Sequence, residues 1–187
     1  MGEKKRYERA TAMLVAAEIC RELKPFCARL IVAGSLRRRK AMVGDVEIVF
    51  VPKFTEVADT LFETKQENMA AMAIARLKDT GILTERIGAA GSTSWGPKNK
   101  LAVHVASRMP VDLFETSEPC WFNYLTCRTG GAESNVAVAS AAQRLGLKWN
   151  PYDVGFTRAD GSKIHVTSER HVFEIVGLPY KEPWERT

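Results

Sequence analysis

Residues 30–52, LIVAGSLRRRKAMVGDVEIVFVP, are the stretch on which the fold turns. An apolar run, Leu30 to Ala33, stops at Gly34-Ser35. Four consecutive cations follow, Arg37 to Lys40, and a second apolar run closes at Pro52. Short runs rich in β-branched residues and bounded by turn residues read as buried strands, so the stretch is two strands joined by a basic loop. Alternate residues of a strand point to one face, so Asp45 and Glu47 project together, about 7 Å apart along the chain. Two such carboxylates repel unless a cation lies between them, and Mg²⁺ suits the place because it takes oxygen ligands and keeps positions open for phosphates. Gly34 lets the backbone pass close to a ligand, Ser35 offers a hydroxyl and an N–H to phosphate oxygens, and Arg37 to Arg39 supply cations. A lone Asp-x-Glu is ordinarily a solvated strand edge and a lone Gly-Ser a turn. Joined with nine residues between Ser35 and Asp45, they point to ligand chemistry. A third carboxylate on an adjacent strand completes a two-metal site. Asp112, between apolar neighbours in MPVDLFET (109–116), is the candidate.

Outward from this stretch, residues 6–24 carry Ala12, Leu14, Val15, Ile19 and Leu23 near helical spacing, and Pro25 stops the helix. Residues 55–79, TEVADTLFETKQENMAAMAIARLKD, read as one long helix ended by Gly81, with Met69 and Met72 as core filler. ILTERIG, LAVHVAS and MPVDLFET are strand-like, with a Gly/Ser/Pro loop between the first two. The pattern is helical again from Pro119, broken at Gly130-Gly131, then β-like around an Asp160-Gly161 turn, and ends in a short helix, SERHVFEIVG.

The chain has 187 residues, of which 45% are apolar, enough for a real core and too many for wholesale disorder. Lys and Arg number 27 against 22 Asp and Glu, a net charge of +5 that favours a polyanionic partner without establishing one. No uncharged run approaches the roughly 18–20 residues of a membrane span, and the charged start lacks a signal-type apolar core. A soluble, cytoplasmic protein is expected. Cys20, Cys27, Cys120 and Cys127 lack zinc spacing and read as free thiols.

Residues 32–52, VAGSLRRRKAMVGDVEIVFVP, resemble the catalytic signature of the nucleotidyltransferase superfamily and, within it, of the family X DNA polymerases. RMPVDLF (108–114) resembles the strand bearing that family's third aspartate. CRTGGAESN (127–135) resembles the segment that usually reads Tyr-Phe-Thr-Gly-Ser and then Asn. AQRLGLKWNPYDVGF (142–156) and EIVGLPYKEPWER (174–186) resemble the C-terminal subdomain. The resemblance runs from about residue 6 onward and is one of outline over the middle helix and 86–105.

It implies an α+β fold: a nucleotidyltransferase palm over 1–117, with a mixed β-sheet and backing helices, then a mainly helical C-terminal subdomain over 118–187 that binds nucleotide and DNA. It implies that Asp45, Glu47 and Asp112 are catalytic and hold two Mg²⁺, with Mn²⁺ also accepted. Ser35 and Arg38 would hold the incoming triphosphate, with Gly34 giving backbone access and Arg37 as a neighbour. Thr129 and Gly130 would sit against the sugar, and Asn135 would reach the minor-groove edge of the base. Arg128, Arg144 and Lys148 would reach DNA; Arg144 and Lys148 read equally well as a solvated face. The implied partners are primer–template or gapped DNA and nucleoside triphosphates, with a monomeric enzyme and no membrane.

Four positions depart from the family's pattern. Glu47 stands where its polymerases usually have Asp. Cys127-Arg128 replaces the Tyr-Phe pair that screens the sugar, so weaker rejection of ribonucleotides is expected. Ala139 stands where many members place an Arg against the template. Neither an N-terminal lyase domain nor a phosphoesterase domain is legible, as in the minimal viral members. Lys4 and Lys5 therefore read as solvated charges, with no lyase adduct expected. The function implied is DNA-directed polymerisation, extending a primer across short gaps in repair. The alternatives are a template-independent nucleotidyltransferase acting on RNA, tRNA or protein, and a non-catalytic nucleic-acid-binding module. The module gains nothing from three anions near phosphates.

Overall fold

The computed structural model describes residues 5–58, 63–88 and 91–187. In chain order the palm region contains β1 (Tyr7–Glu8), α1 (Arg9–Leu23), β2 (Cys27–Val32), the single turn α2 (Gly34–Arg37), β3 (Met42–Val43) and β4 (Val46–Pro52). There follow β5 (Phe54–Ala58), β6 (Thr64–Asn68), α3 (Met69–Asp79), β7 (Leu83–Glu85), β8 (Asn99–His104) and β9 (Met109–Glu115). The remainder is α4 (Trp121–Thr129), α5 (Ala132–Arg144), β10 (Lys148–Trp149), β11 (Gly155–Thr157), β12 (Lys163–His165) and α6 (Glu169–Ile175).

The central sheet runs β2-β4-β9-β8-β7. It is mixed: β4 and β9 are parallel, and the other pairs are antiparallel. Burial explains the near-continuous apolar run of β4, because both faces are covered. On one face α1 and α3 pack Ala12, Val15, Ile19, Ile74 and Leu77 against Ile48, Phe50 and Leu113. On the other, α4 packs Trp121, Tyr124 and Leu125 against Val49, Val51 and Phe114. Helix α4 is thus a layer of the palm sheet as well as the bridge to the C-terminal part. That part has its own core, in which Val138, Ala142, Phe156, Val172 and Phe173 join α5, α6 and the small sheet β10-β11-β12.

Three expectations are corrected. Met72, read as core filler, is 52% exposed. Leu14, counted among the core positions of α1, is 73% exposed; Ala16 takes the inward place. The single helix over 55–79 is instead the hairpin β5–β6 followed by α3; residues 59–62 lie outside the described residues. The helix begins at Met69, where the Asn68 side chain accepts the Ala71 N–H at 2.9 Å as an N-cap. Its end at Gly81 is as expected, with φ +74° and the Gly81 N–H on the Lys78 carbonyl. Of the two N-terminal lysines, Lys4 lies outside the described residues and Lys5 stands over the Tyr7 ring at 4.9 Å. The four cysteines are free, and among the described residues no helix is long and apolar enough to cross a membrane.

Candidate active site

The site is a row across the central sheet. In the parallel β4–β9 pair Glu47 is the register partner of Asp112, so the two side chains share a face. Asp45 lies two residues before Glu47, just ahead of β4, on the same side by alternation. The row continues on β8, where Leu101 pairs Asp112. It ends at Arg86, whose N–H donates to the Leu101 carbonyl at 2.9 Å. From there the guanidinium reaches across Leu101 to Asp112 at 2.8 Å. The sequence reading did not identify Arg86, because its place depends on the order of strands in the sheet.

Glu47 is pressed against the first turn of α2. Gly34 has φ +58°, and a Cβ there would stand 1.7 Å from Glu47 Oε2. The glycine is thus required by the Glu47 carboxylate, which leaves no room for a Cβ. Burial, then the charges of Asp45 and Asp112, push the Glu47 carboxyl up to about 7; Arg128 and Arg38 pull the other way. Asp112 is also raised, by burial above all, against the opposing charge and hydrogen bond of Arg86.

A cavity of about 390 Å³ opens beside these residues, lined by Ser35, Arg38, Asp45 and Glu47 from the palm and by Arg128, Gly130 and Asn135 from the opposite wall. Arg6 lines it too, a residue no motif singled out. Arg38 Nη1 donates to the carbonyls of Thr129 (2.8 Å) and Gly130 (3.3 Å), tying α2 to the end of α4. Its Nε and the Ser35 hydroxyl are buried without a hydrogen-bond partner among the described residues, a cost that an anionic oxygen would remove. The Asn135 side chain donates to the Cys127 carbonyl at 3.0 Å, which holds the Gly130-Gly131 break in place. Arg128 lies over the Phe114 ring at 3.6 Å, with the Tyr124 and Tyr152 hydroxyls at 3.5 Å. Such a cage fixes the cation next to the carboxylates.

The other expected residues lie elsewhere. Arg37 does not line the cavity: it donates to both carboxylate oxygens of Glu169 and to the Thr129 hydroxyl. Thr129 is fully buried facing it and does not line the cavity either. Arg186, with no exposed surface, donates to the same Glu169 at 2.7 Å. Burial works against the Glu169 anion, yet the Arg37 hydrogen bond and the Arg186 charge hold its carboxyl below the usual range. Arg39, with φ +59°, stacks on Trp184 at 4.0 Å. Of the four cations Arg37 to Lys40, therefore, only Arg38 lines the cavity. Arg144 and Lys148 are exposed and stand outside it. Among the described residues no three Asp, Glu, His or Cys side chains are grouped closely enough to hold a metal ion as they stand; Asp112 carries Arg86 instead.

The chain matches two family models, the DNA polymerase beta palm over residues 5–113 and the DNA polymerase beta thumb over residues 124–187. No curated protein matches it. The palm match contains the whole row from Glu47 to Arg86 and Asp112, and the thumb match contains Arg128, Gly130 and Asn135 on the opposite wall. Matched over more than half of its length by the palm alone, the chain belongs to family X of the DNA polymerases.

Proposed function

We propose that the protein is a metal-dependent, DNA-directed DNA polymerase that extends a primer across short gaps. The observation that carries this reading is the register of Glu47 with Asp112, with Asp45 on the same side, beside a cavity walled by Arg38 and Arg128. The donor set suits divalent magnesium or manganese: it is all carboxylate oxygen, and burial followed by crowding of like charge keeps Glu47 partly protonated near neutral pH until a cation offsets it. Asp45, Glu47 and Asp112 would hold two such ions, with Arg86 giving up Asp112. Bound there, the ions would lower the pKa of the primer 3′-hydroxyl and stabilise charge on the triphosphate.

The protein's own groups account for the rest. The Ser35 hydroxyl and Arg38 Nε would take triphosphate oxygens, which gives these unpartnered groups their hydrogen bonds. As the primer 3′-oxygen bonds to the α-phosphorus and pyrophosphate leaves, Arg38 would steady the departing charge. Gly130 would lie against the sugar and Asn135 near the base edge; Thr129 acts through Arg37. Caged Arg128 fills the place of the family's aromatic pair, so sugar choice here rests on a cation and on backbone.

The test is incorporation of labelled nucleotides with Mg²⁺ or Mn²⁺ on primer–template, on single strands and on RNA. Asp45→Ala, Glu47→Ala and Asp112→Ala are each expected to lower incorporation at least about 100-fold without unfolding the protein. Near-normal activity in Asp112→Ala overturns the assignment. Equal incorporation without a template replaces it by template-independent transfer.

A further inference from the structure

Strand β2 is the outer strand of the central sheet and, among the described residues, pairs only with β4. Its hydrogen-bonding phase follows from one contact: the Ala33 N–H donates to the Glu47 carbonyl at 2.8 Å. In an antiparallel pair the bonded residues alternate. Ala33, Ile31 and Arg29 therefore turn their N–H and C=O groups toward β4, and Leu30 and Val32 turn theirs outward. Among the described residues no turn or loop backbone bonds to Leu30 or Val32.

Exposed edges are normally blunted by bulges and charges. Here a register shift between Cys27 and Arg29 and the Arg29 side chain itself do so in the first half of the strand. Leu30 to Val32 are left unguarded.

A groove of about 880 Å³ runs along this edge. One wall is Cys20 and Lys24, the other is Trp121 with Arg29 stacked on it at 5.5 Å, and Lys53 lines the groove as well. Leu30 and Val32 pack toward α1, and Ile31 toward α4. An added strand would thus find apolar ground on alternating sides. Among the described residues the cations lining the groove are Lys24, Arg29 and Lys53, and no carboxylate lines it; Glu118 pairs with Arg29 at 2.8 Å from outside.

We propose that the β2 edge is a docking site for an extended acidic peptide of a partner protein, which adds to the sheet as a sixth strand through Leu30 and Val32. A second copy of this chain fits poorly, because β2 against β2 sets the same cations against one another. A nucleic-acid strand offers no alternating N–H and C=O groups to match the edge. The groove shares no lining residue with the carboxylate cavity, so this site stands or falls independently of the polymerase reading.

The experiment titrates an acetylated, amidated heptapeptide, Val-Glu-Val-Asp-Val-Glu-Val, into the ¹⁵N-labelled full chain at up to millimolar concentration. Its lysine-substituted counterpart is run beside it, and amide shifts and hydrogen exchange are followed. The acidic peptide should slow exchange at Leu30 and Val32 at least about tenfold and bind at least about tenfold tighter than the lysine peptide. Lys24→Glu combined with Lys53→Glu should remove that preference, with Tm and nucleotide incorporation unchanged. Equal binding of the two peptides, no protection at Leu30 and Val32, or indifference to the charge reversal each overturns the proposal. Protection that grows with protein concentration alone, or that oligothymidylate produces, overturns it in favour of a second copy or of nucleic acid.

Discussion

Glu47 keeps a proton that an ordinary glutamate would lose, because burial and the charges of Asp45 and Asp112 outweigh the pull of Arg128 and Arg38. The folded value of about 7 exceeds the ordinary value of 4.5. Between those limits the unfolded chain releases this proton and the folded chain retains it, so the contribution to stability is full below the lower limit and is lost as pH rises to the upper one. In the metal-free protein, thermal unfolding of the wild type relative to Glu47→Gln should therefore show a difference that grows less favourable to the wild type between these two values. A pH-independent difference would mean that Glu47 titrates normally. Magnesium held at the proposed site would bind the anion, so its apparent affinity should rise over the same interval. Gly34 guards the same carboxylate. In Gly34→Ala the new methyl group overlaps Glu47 Oε2, and the residue must hold φ +58°. Backbone strain alone costs about 1–2 kcal/mol. Incorporation should fall at least about 100-fold, because Glu47 must leave its place. Retained activity in this variant would show that the carboxylate has room to spare.

At the scale of elements, α6 is positioned by its own cap: the Ser168 hydroxyl accepts the His171 N–H at 3.0 Å, which sets Glu169 in the first turn. There Glu169 takes Arg37 from α2 and Arg186 from the C-terminal segment, joining thumb to palm behind the cavity. Glu169→Ala leaves two guanidinium groups without their counter-ion, one of them fully buried. It should cost about 3–5 kcal/mol in denaturant unfolding, with Glu169→Gln milder. A loss below about 1 kcal/mol would show that water reaches both arginines. This tie also marks what the sequence could and could not reveal. Strands β2, β4 and β9 were legible because each is a short apolar run with a breaker at its end, and Asp45, Glu47 and Asp112 stand out because they interrupt that pattern with carboxylates. The β5–β6 hairpin was not legible: its exposed, polar residues carry little periodicity, and the strong helical pattern of 69–79 was extended back over them. Neither was the division of labour among Arg37, Arg38 and Arg39. Successive residues on a helical turn diverge by about 100°, so which cation faces the cavity depends on how α2 docks. Arg86 needed the sheet order, and Glu169 and Arg186 needed the thumb's placement.

For the whole molecule, the +5 net charge conceals a local mixture of signs. Arg6, Arg38 and Arg128 line the cavity that also holds Asp45 and Glu47, so an approaching polyanion meets cations and carboxylates together. Backbone phosphates dominate affinity for DNA through released counter-ions, and uncompensated carboxylates oppose that attraction when no divalent ion is bound. Two consequences separate binding from catalysis. Raising salt from about 50 to 200 mM should weaken primer–template binding by at least about tenfold if two or more phosphates are neutralised. Substituting Asp45→Asn and Glu47→Gln together removes the Asp45 charge and the ionised fraction of Glu47 while keeping size and shape. In the presence of a chelator this variant should bind primer–template more tightly than the wild type, by about tenfold, yet incorporate no nucleotide once magnesium is restored. Fluorescence anisotropy with a labelled primer–template measures the first, and gel-based extension the second. Unchanged affinity in the variant would place the DNA away from Asp45 and Glu47. The candidate site would then lack the very strand it is proposed to extend.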